Sequence, residues 1–265
     1  MRILLTNDDG VSARGLVALA ERLRDVGEVI VVAPERQQSA TSHSATLHKP
    51  IRVHPAHVAE GVTAYACSGT PSDCVALGLA NLAPGPVNLI VAGINHGRNL
   101  GMDVTYSGTA MAALEGCIKG VPSFAISVGP TEGKATQELE VEAAVEFAQW
   151  LCLWLAAHPL PPGIFLNVNV PALPPDQIRG LMVTRLGRLR YEDTLERRLD
   201  PWGRPYFWRG LLLKEQKEEA DTDEYALDHD FISVTPLRAD LTATAVFAEL
   251  NQLNLAQQWA QRRTT

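Results

Sequence analysis

Short, mostly apolar runs alternate with helical periodicities over the first two thirds of the chain. Ile3-Leu4-Leu5, residues 28–34 (Glu-Val-Ile-Val-Val-Ala-Pro), residues 87–92 and residues 121–128 (Val-Pro-Ser-Phe-Ala-Ile-Ser-Val) carry no helical period. That pattern suits strands buried on both faces of a parallel sheet. Between the first two runs, Leu16, Leu19, Ala20 and Leu23 recur at i, i+3, i+4 and i+7, the apolar face of a helix that Gly27 ends. Ser68-Gly69-Thr70-Pro71-Ser72-Asp73 reads as a helix start, with Thr70 as N-cap, Pro71 at N1 and Asp73 at N3. That helix is expected to run to about Leu82, before Pro84-Gly85-Pro86. Residues 110–119 and 138–157 supply two further helices, and residues 51–66 read as short strands or a hairpin. Residues 165–170 (Phe-Leu-Asn-Val-Asn-Val) form a fifth strand whose alternating polar positions suggest a sheet edge.

After Pro171 the alternation stops. Residues 182–191 and 206–213 look like hairpin strands joined through the turn-rich residues 200–205. Residues 214–230 are mostly charged and read as a solvated loop carrying Thr222-Asp223. A last short strand is expected over residues 231–236, and a terminal amphipathic helix over 247–261 with Leu250, Leu253 and Leu255. The predicted fold is α/β: a Rossmann-like, mostly parallel sheet flanked by helices in residues 1–171, continued by a β-hairpin-rich C-terminal extension in residues 172–265.

Composition narrows the function. A length of 265 residues, 46% of them hydrophobic and 20% charged, fits an ordinary soluble globular protein. The net charge of −7 argues against nonspecific binding to nucleic acid polymers. It leaves room for an anionic small molecule, because a bound cation reverses the local field. No signal peptide is recognisable, and the apolar stretch 147–157 is too short to span a bilayer. Cys67, Cys74, Cys117 and Cys152 form no CxxC pair, which argues for reduced thiols over zinc ligation or a disulfide framework. A cytoplasmic enzyme or binding protein is the expectation.

The candidate chemistry starts at Asp8 and Asp9, at the carboxyl end of the first strand, where open α/β sheets place their ligands. Adjacent carboxylates repel unless something cationic neutralises them, and a hard divalent cation prefers such oxygen ligands. The plainer alternative, a turn with one aspartate capping the helix, explains one acid and not the second. The hydroxyl-rich residues 35–44 leave the second strand on the same edge, as ligand donors or as a solvated loop. Residues 93–103 hold three glycines and two asparagines after a strand, so their backbone is expected to approach something closely. The spacing is neither GxGxxG nor GxxxxGK[ST], so neither dinucleotide nor P-loop chemistry is supported. Tyr106-Ser107-Gly108-Thr109 opens a helix and offers either a phosphate cradle or an ordinary cap. An oxygen-ligand metal site beside an anion site suits metal-assisted hydrolysis of a phosphate ester.

These segments together resemble the SurE family of survival proteins. The resemblance rests on residues 2–10 (Arg-Ile-Leu-Leu-Thr-Asn-Asp-Asp-Gly), 33–39 (Ala-Pro-Glu-Arg-Gln-Gln-Ser), 68–75 (Ser-Gly-Thr-Pro-Ser-Asp-Cys-Val), Gly93-Ile94-Asn95 and Tyr106-Ser107-Gly108-Thr109. It continues in Thr222-Asp223 and residues 232–237, and so covers almost the whole chain. The resemblance implies a 5'-nucleotidase that hydrolyses nucleoside monophosphates, some members also removing 3'-phosphates or shortening polyphosphate. It implies one divalent cation per subunit, Mg²⁺ or Mn²⁺, held by Asp8, Asp9, Ser39 and Asn95. It also implies that the extension builds a homodimer or homotetramer. Ser72 stands where the family has a small residue, and His96 and Arg98 fall in variable slots that transfer no role.

On this reading Asp8 and Asp9 anchor the cation and help to activate a water, while Ser39 and Asn95 add neutral oxygens. Ser107, Gly108 and Thr109 would bind phosphate, with Asn99 beside them. His43 is of the right type for a general base, although a lone loop histidine is more often solvated. A haloacid-dehalogenase-type phosphatase would need a DxD spacing, and the acids here are adjacent. A signalling receiver would need an aspartate after the third strand and a lysine after the fifth, where this chain has Asn95 and Asn169-Val170-Pro171. A scaffold that binds metal and nucleotide without turnover stays open as the alternative.

Overall fold

Strands buried on two faces must alternate between two cores, and the first strand does so. In β1 (Arg2–Thr6), Ile3 and Leu5 enter one apolar cluster and Leu4 the other. The computed structural model describes residues 1–130, 140–188, 191–213 and 219–262, with residues 191–193 and 211–213 as backbone alone. Its further strands are β2 (Glu28–Pro34), β3 (Val53–Ala56), β4 (Thr63–Cys67), β5 (Leu89–His96), β6 (Ser123–Gly129), β7 (Ile164–Pro171) and β8 (Gly180–Val183). Then come β9 (Tyr191–Leu199), β10 (Pro205–Leu213) and β11 (Phe231–Arg238). Nine of these form one sheet in the order β3-β4-β2-β1-β5-β6-β7-β11-β8, while β9 and β10 form a separate antiparallel ribbon. The six strands from β4 to β7 in that order run parallel.

The helices α1 (Arg14–Leu23) and α4 (Glu142–Ala157) cover one face, and α2 (Pro71–Leu77) and α3 (Gly108–Ile118) the other. The periodic residues Leu16, Leu19, Ala20 and Leu23 are all fully buried, as an i, i+3, i+4, i+7 stripe requires. Full burial of each such leucine stabilises by about 1.5–3 kcal/mol. The capping box of α2 is present: Asp73 N donates to Thr70 Oγ1 at 3.2 Å and Thr70 N to Asp73 Oδ2 at 2.9 Å. Beyond Leu77 the chain continues as a π-helical turn, Gly78–Leu82. Among the described residues no helix is long and apolar enough to cross a membrane.

Four sequence expectations need correction. The strand with alternating asparagines, β7, lies inside the sheet between β6 and β11, and Asn167 and Asn169 are fully buried. Their polarity serves internal hydrogen bonds, not solvent. Residues 182–188 do not form one hairpin strand: Met182 belongs to β8 at the sheet edge, residues 189–190 lie outside the described residues, and the described part of the hairpin starts at Tyr191. Within the stretch expected as a solvated loop, Thr222 caps a short helix, α5 (Asp223–Asp228), and both Thr222 and Asp223 are buried. Residues 214–218 of that stretch, and residues 138–139 of the expected fourth helix, lie outside the described residues. The terminal helix is two helices, α6 (Thr244–Gln252) and α7 (Leu255–Arg262), separated at Asn254, whose φ is +51°.

The strand order fixes the place of the site. From β1 the chain moves to β2 and β4 on one side and returns to β5 on the other, so the loops after β1 and β5 diverge. Open α/β sheets bind ligands at such a switch point, outside the carboxyl ends of the strands.

Candidate active site

The loop after β1 is closed by Asn7, whose Nδ2 donates to Gly10 O at 2.9 Å and whose Oδ1 accepts Gly10 N at 3.2 Å. This Asx-type closure satisfies the turn internally and presents Asp8 and Asp9 to the switch point. Gln38 N donates to Asp8 O at 2.7 Å, which brings the hydroxyl-rich loop after β2 alongside. Farther along that loop, Ser42 N donates to Tyr106 O at 3.0 Å and Ser42 Oγ to Thr105 O at 2.7 Å.

The loop after β5 enters through a bulge. Ala92 pairs with Ala125 and Asn95 with Ser127, so three steps of β5 oppose two of β6. A bulge re-aims the side chains beyond it. Gly93 sits there at φ +143°, and a Cβ on it would run into the Ile126 carbonyl oxygen. Asn95 Nδ2 donates to Gly97 O at 2.7 Å, which orients the amide and leaves Oδ1 as an acceptor. His96 N donates to Asp9 Oδ2 at 3.0 Å, tying the two loops together.

Asn99 is held from beneath by β6 and β7. Its N–H donates to Asn169 Oδ1 at 2.8 Å, its carbonyl accepts Asn169 Nδ2 at 3.0 Å and Asn167 Nδ2 at 2.9 Å, and its own Nδ2 donates to Ser127 Oγ at 2.8 Å. Next, a 3₁₀ turn, Gly101–Thr105, leads to Ser107, the N-cap of α3, whose Oγ accepts Ala110 N at 3.0 Å. Since that oxygen accepts from Ala110, the hydroxyl hydrogen remains to donate elsewhere.

Asp8, Asp9, Ser39, Asn95, Asn99 and Ser107 line one cleft of about 700 Å³. Gly108 and Thr109 lie behind it, against Asp8. Thr109 Oγ1 donates to Asp8 Oδ1 at 2.5 Å, and a Cβ on Gly108 would stand 2.9 Å from Asp8 Cβ. His43 is elsewhere: its Nε2 meets Glu115 Oε2 at 2.8 Å on the flank of α3, and Lys119 Nζ holds Glu115 Oε1 at 3.3 Å.

Burial raises the Asp8 pKa above the ordinary aspartate value, the Thr109 hydroxyl opposes the rise, and the charge of Asp9 adds to it. Two carboxylates share this cleft with neutral oxygens of Ser39 and Asn95. Among the described residues no three His, Cys, Asp or Glu side chains gather to hold a metal ion. The donor set is all hard oxygen, which suits Mg²⁺, Mn²⁺ or Ca²⁺ and disfavours softer metals.

Residues to which the sequence assigned no role also shape the site. Asn167 and Asn169 carry Asn99, and the signal was their alternation in an otherwise apolar strand. Asp223, fully buried, accepts Gly101 N at 2.9 Å, Gly187 N at 2.7 Å and Glu224 N at 3.0 Å, anchoring the turn that precedes Ser107. Arg98 lines the cleft and donates to Asp228 Oδ1 at 3.3 Å.

A family model described as "Survival protein SurE" matches residues 3–193. A protein named 5'-nucleotidase SurE from Moorella thermoacetica is 47% identical over 251 residues, spanning 94% of this chain and 95% of that protein. A protein of the same name from Synechococcus sp. (strain JA-3-3Ab) is 44% identical, spanning 97% and 98%. The crystal structure of a SurE protein from Aquifex aeolicus superposes with a TM-score of 0.81 at 35% identity, covering 96% of this chain and all of that one.

Proposed function

Because this chain belongs to the SurE family, we propose that it is a 5'-nucleotidase, hydrolysing nucleoside 5'-monophosphates to nucleoside and phosphate with a divalent cation. The observation that carries the reading is the sharing of one switch-point cleft by Asp8, Asp9, Ser39, Asn95, Asn99 and Ser107. Asp8 and Asp9 would hold one Mg²⁺ or Mn²⁺ per chain, with Ser39 and Asn95 as neutral partners that would keep the site's charge low enough to admit a phosphate dianion. When bound, such a cation draws charge from phosphate oxygens and lowers the pKa of a water.

The chain's own groups then divide the work. Asn99, fixed by Asn167, Asn169 and Ser127, and Ser107, with its free hydroxyl hydrogen, face the phosphate oxygens. The start of α3 adds the positive end of its dipole. Thr109 spends its hydroxyl on Asp8 and orients the carboxylate; it is not a phosphate ligand in this arrangement. His43, paired with Glu115 and not among the residues lining the cleft, has no part at the water in this reading, and proton removal from the attacking water falls to the Asp8–Asp9 pair. Removal of 3'-phosphates and shortening of polyphosphate are extensions of the same chemistry in the same cleft.

Self-assembly through the extension completes the reading. Leu195, Trp202, Phe207 and Trp208 of the ribbon and Phe247, Leu253 and Trp259 of the terminal helices are exposed, and neither α6 nor α7 buries a residue. So much exposed apolar surface is typical of an interface. The protein is taken to act in the cytoplasm.

The test is phosphate release from a panel of nucleoside 5'- and 3'-monophosphates and short polyphosphate, with Mg²⁺ or Mn²⁺ and again with EDTA. Metal-dependent release strongest on the 5'-monophosphates is expected. Tight nucleotide binding with no release from any of them would favour the non-hydrolytic scaffold instead.

A further inference from the structure

Met102 and Tyr106 line the same cleft but hold neither the acids nor the phosphate groups. Their exposures, 55% and 57%, are high for large side chains in an otherwise polar site. The backbone that carries them is well anchored. Leu100 and Val104 are buried, Gly101 N donates to the buried Asp223, Tyr106 N donates to Asp103 O at 2.9 Å, and Tyr106 O accepts Ser42 N at 3.0 Å. A fixed backbone with uncovered apolar side chains is a preorganised surface, and it stands one residue from Ser107.

We propose that Met102 and Tyr106 form the platform on which the base of the nucleotide rests. This rests on the hydrolase reading above and adds the subsite that tells a nucleotide from a simpler phosphate ester. Four observations favour a base as the occupant. The segment runs directly into the phosphate-facing Ser107 and lines the same cleft, which puts it within reach of the rest of a ligand anchored there by phosphate. The cleft, about 700 Å³, has room beyond a cation and a phosphate. Aromatic and thioether side chains suit the flat face of a base. Stacking needs no hydrogen-bond pattern, so the platform accepts any base and favours the larger purines. The charged Arg98, tied to Asp228, lines the same cleft.

The experiment compares adenosine 5'-monophosphate, cytidine 5'-monophosphate and ribose 5-phosphate, which has the sugar and phosphate but no base. Steady-state kinetics and sedimentation are measured for wild type, Tyr106→Ala, Tyr106→Phe and Met102→Ala. Tyr106→Ala is expected to raise KM for the adenosine ester about 5- to 150-fold, the range for losing one stacked base. It should raise KM for the cytidine ester less and leave ribose 5-phosphate unchanged. Tyr106→Phe should behave as wild type, and Met102→Ala should show a smaller shift of the same kind. Equal KM rises for ribose 5-phosphate and the nucleotides would overturn the platform and make the segment a support for Ser107. So would equal wild-type KM values for all three, with hydrolysis itself intact. Loss of activity on all three together with altered sedimentation would place these side chains between copies of the chain and also overturn it. A wild type inactive on every ester would remove the hydrolase reading and the platform with it.

Discussion

Thr109 Oγ1 donates a hydrogen bond of 2.5 Å to Asp8 Oδ1 across 101 residues of sequence, and both side chains are buried. The bond joins the end of β1 to the first turn of α3, the two elements that carry the proposed metal and phosphate groups. A carboxylate fixed by a neighbouring hydroxyl loses little freedom when it binds a cation, and such supporting partners are commonly worth about 10- to 100-fold in metal affinity. Thr109→Val keeps the shape and removes the donor. It is expected to weaken the Mn²⁺ dependence of phosphate release by about that factor, while Thr109→Ser retains most of it. An unchanged metal titration for the valine variant would contradict this role.

Gly108 is small because Asp8 occupies its side-chain space. A Cβ there would stand 2.9 Å from Asp8 Cβ and 3.0 Å from both Asp8 Oδ2 and Thr41 Oγ1. Alanine is the better helix former by about 1 kcal/mol, so Gly108→Ala should not weaken α3 itself. The expected outcome is a kcat lowered at least about tenfold, each tenfold being about 1.4 kcal/mol of barrier. Circular dichroism should show the fold retained. Full activity in this variant would mean that Asp8 can shift without cost.

Asp8 trades stability for function. Its pKa is raised above the ordinary value of 3.8 chiefly by burial, so the folded chain binds that proton more tightly than the unfolded chain. The resulting stabilisation is complete below about pH 3.8 and is lost as the pH rises through the folded value; above it the ionised carboxylate is a cost. In EDTA at about pH 7, Asp8→Asn is therefore expected to melt higher than wild type, with the gap closing on acidification. Thermal denaturation across pH reads this directly. A lower Tm for the variant at neutral pH would reverse the sign.

Asp223 accepts three backbone N–H groups, two on Oδ1 and one on Oδ2, and joins the cleft loop to the extension. Asparagine would turn its amide N–H₂ toward at least one of those donors. Leaving a buried N–H unsatisfied costs about 1–3 kcal/mol. Asp223→Asn should thus lower Tm by several degrees, at about 2–4 °C per kcal/mol for a chain of this size. Because Gly101 starts the turn leading to Ser107, KM for nucleotides should rise as well. A stability loss with unchanged KM would limit Asp223 to a purely structural part.

Much of this was legible from pattern alone. The strands β1, β2, β5 and β6 announced themselves because burial on both faces favours mostly apolar runs, and α1 because one stripe of four leucine and alanine positions meets the sheet. Asp8 and Asp9 stood out because adjacent acids at a strand end have no structural purpose that one cannot serve. The asparagines of β7 misled because a polar alternation marks solvent in an isolated strand, and only tertiary contact reveals that Asn167 and Asn169 reach Asn99, about 70 residues away in sequence. Asp223 belongs to the resembling Thr222-Asp223 segment, but its burial stayed unread because nothing local in a charged stretch distinguishes a buried acid from solvated ones. The part of Thr109 was equally invisible, since a first-turn threonine that turns to Asp8 has the same local sequence as one that faces phosphate.

The most direct measurement is a titration of Mn²⁺ into metal-stripped protein, following bound metal and phosphate release from adenosine 5'-monophosphate in the same samples, for wild type and for Asp9→Asn. One cation per chain, with release rising in step with occupancy and both lost in the variant, is the expected result. Phosphate release that persists without metal, or a variant that binds and turns over as wild type does, would contradict the Asp8–Asp9 site.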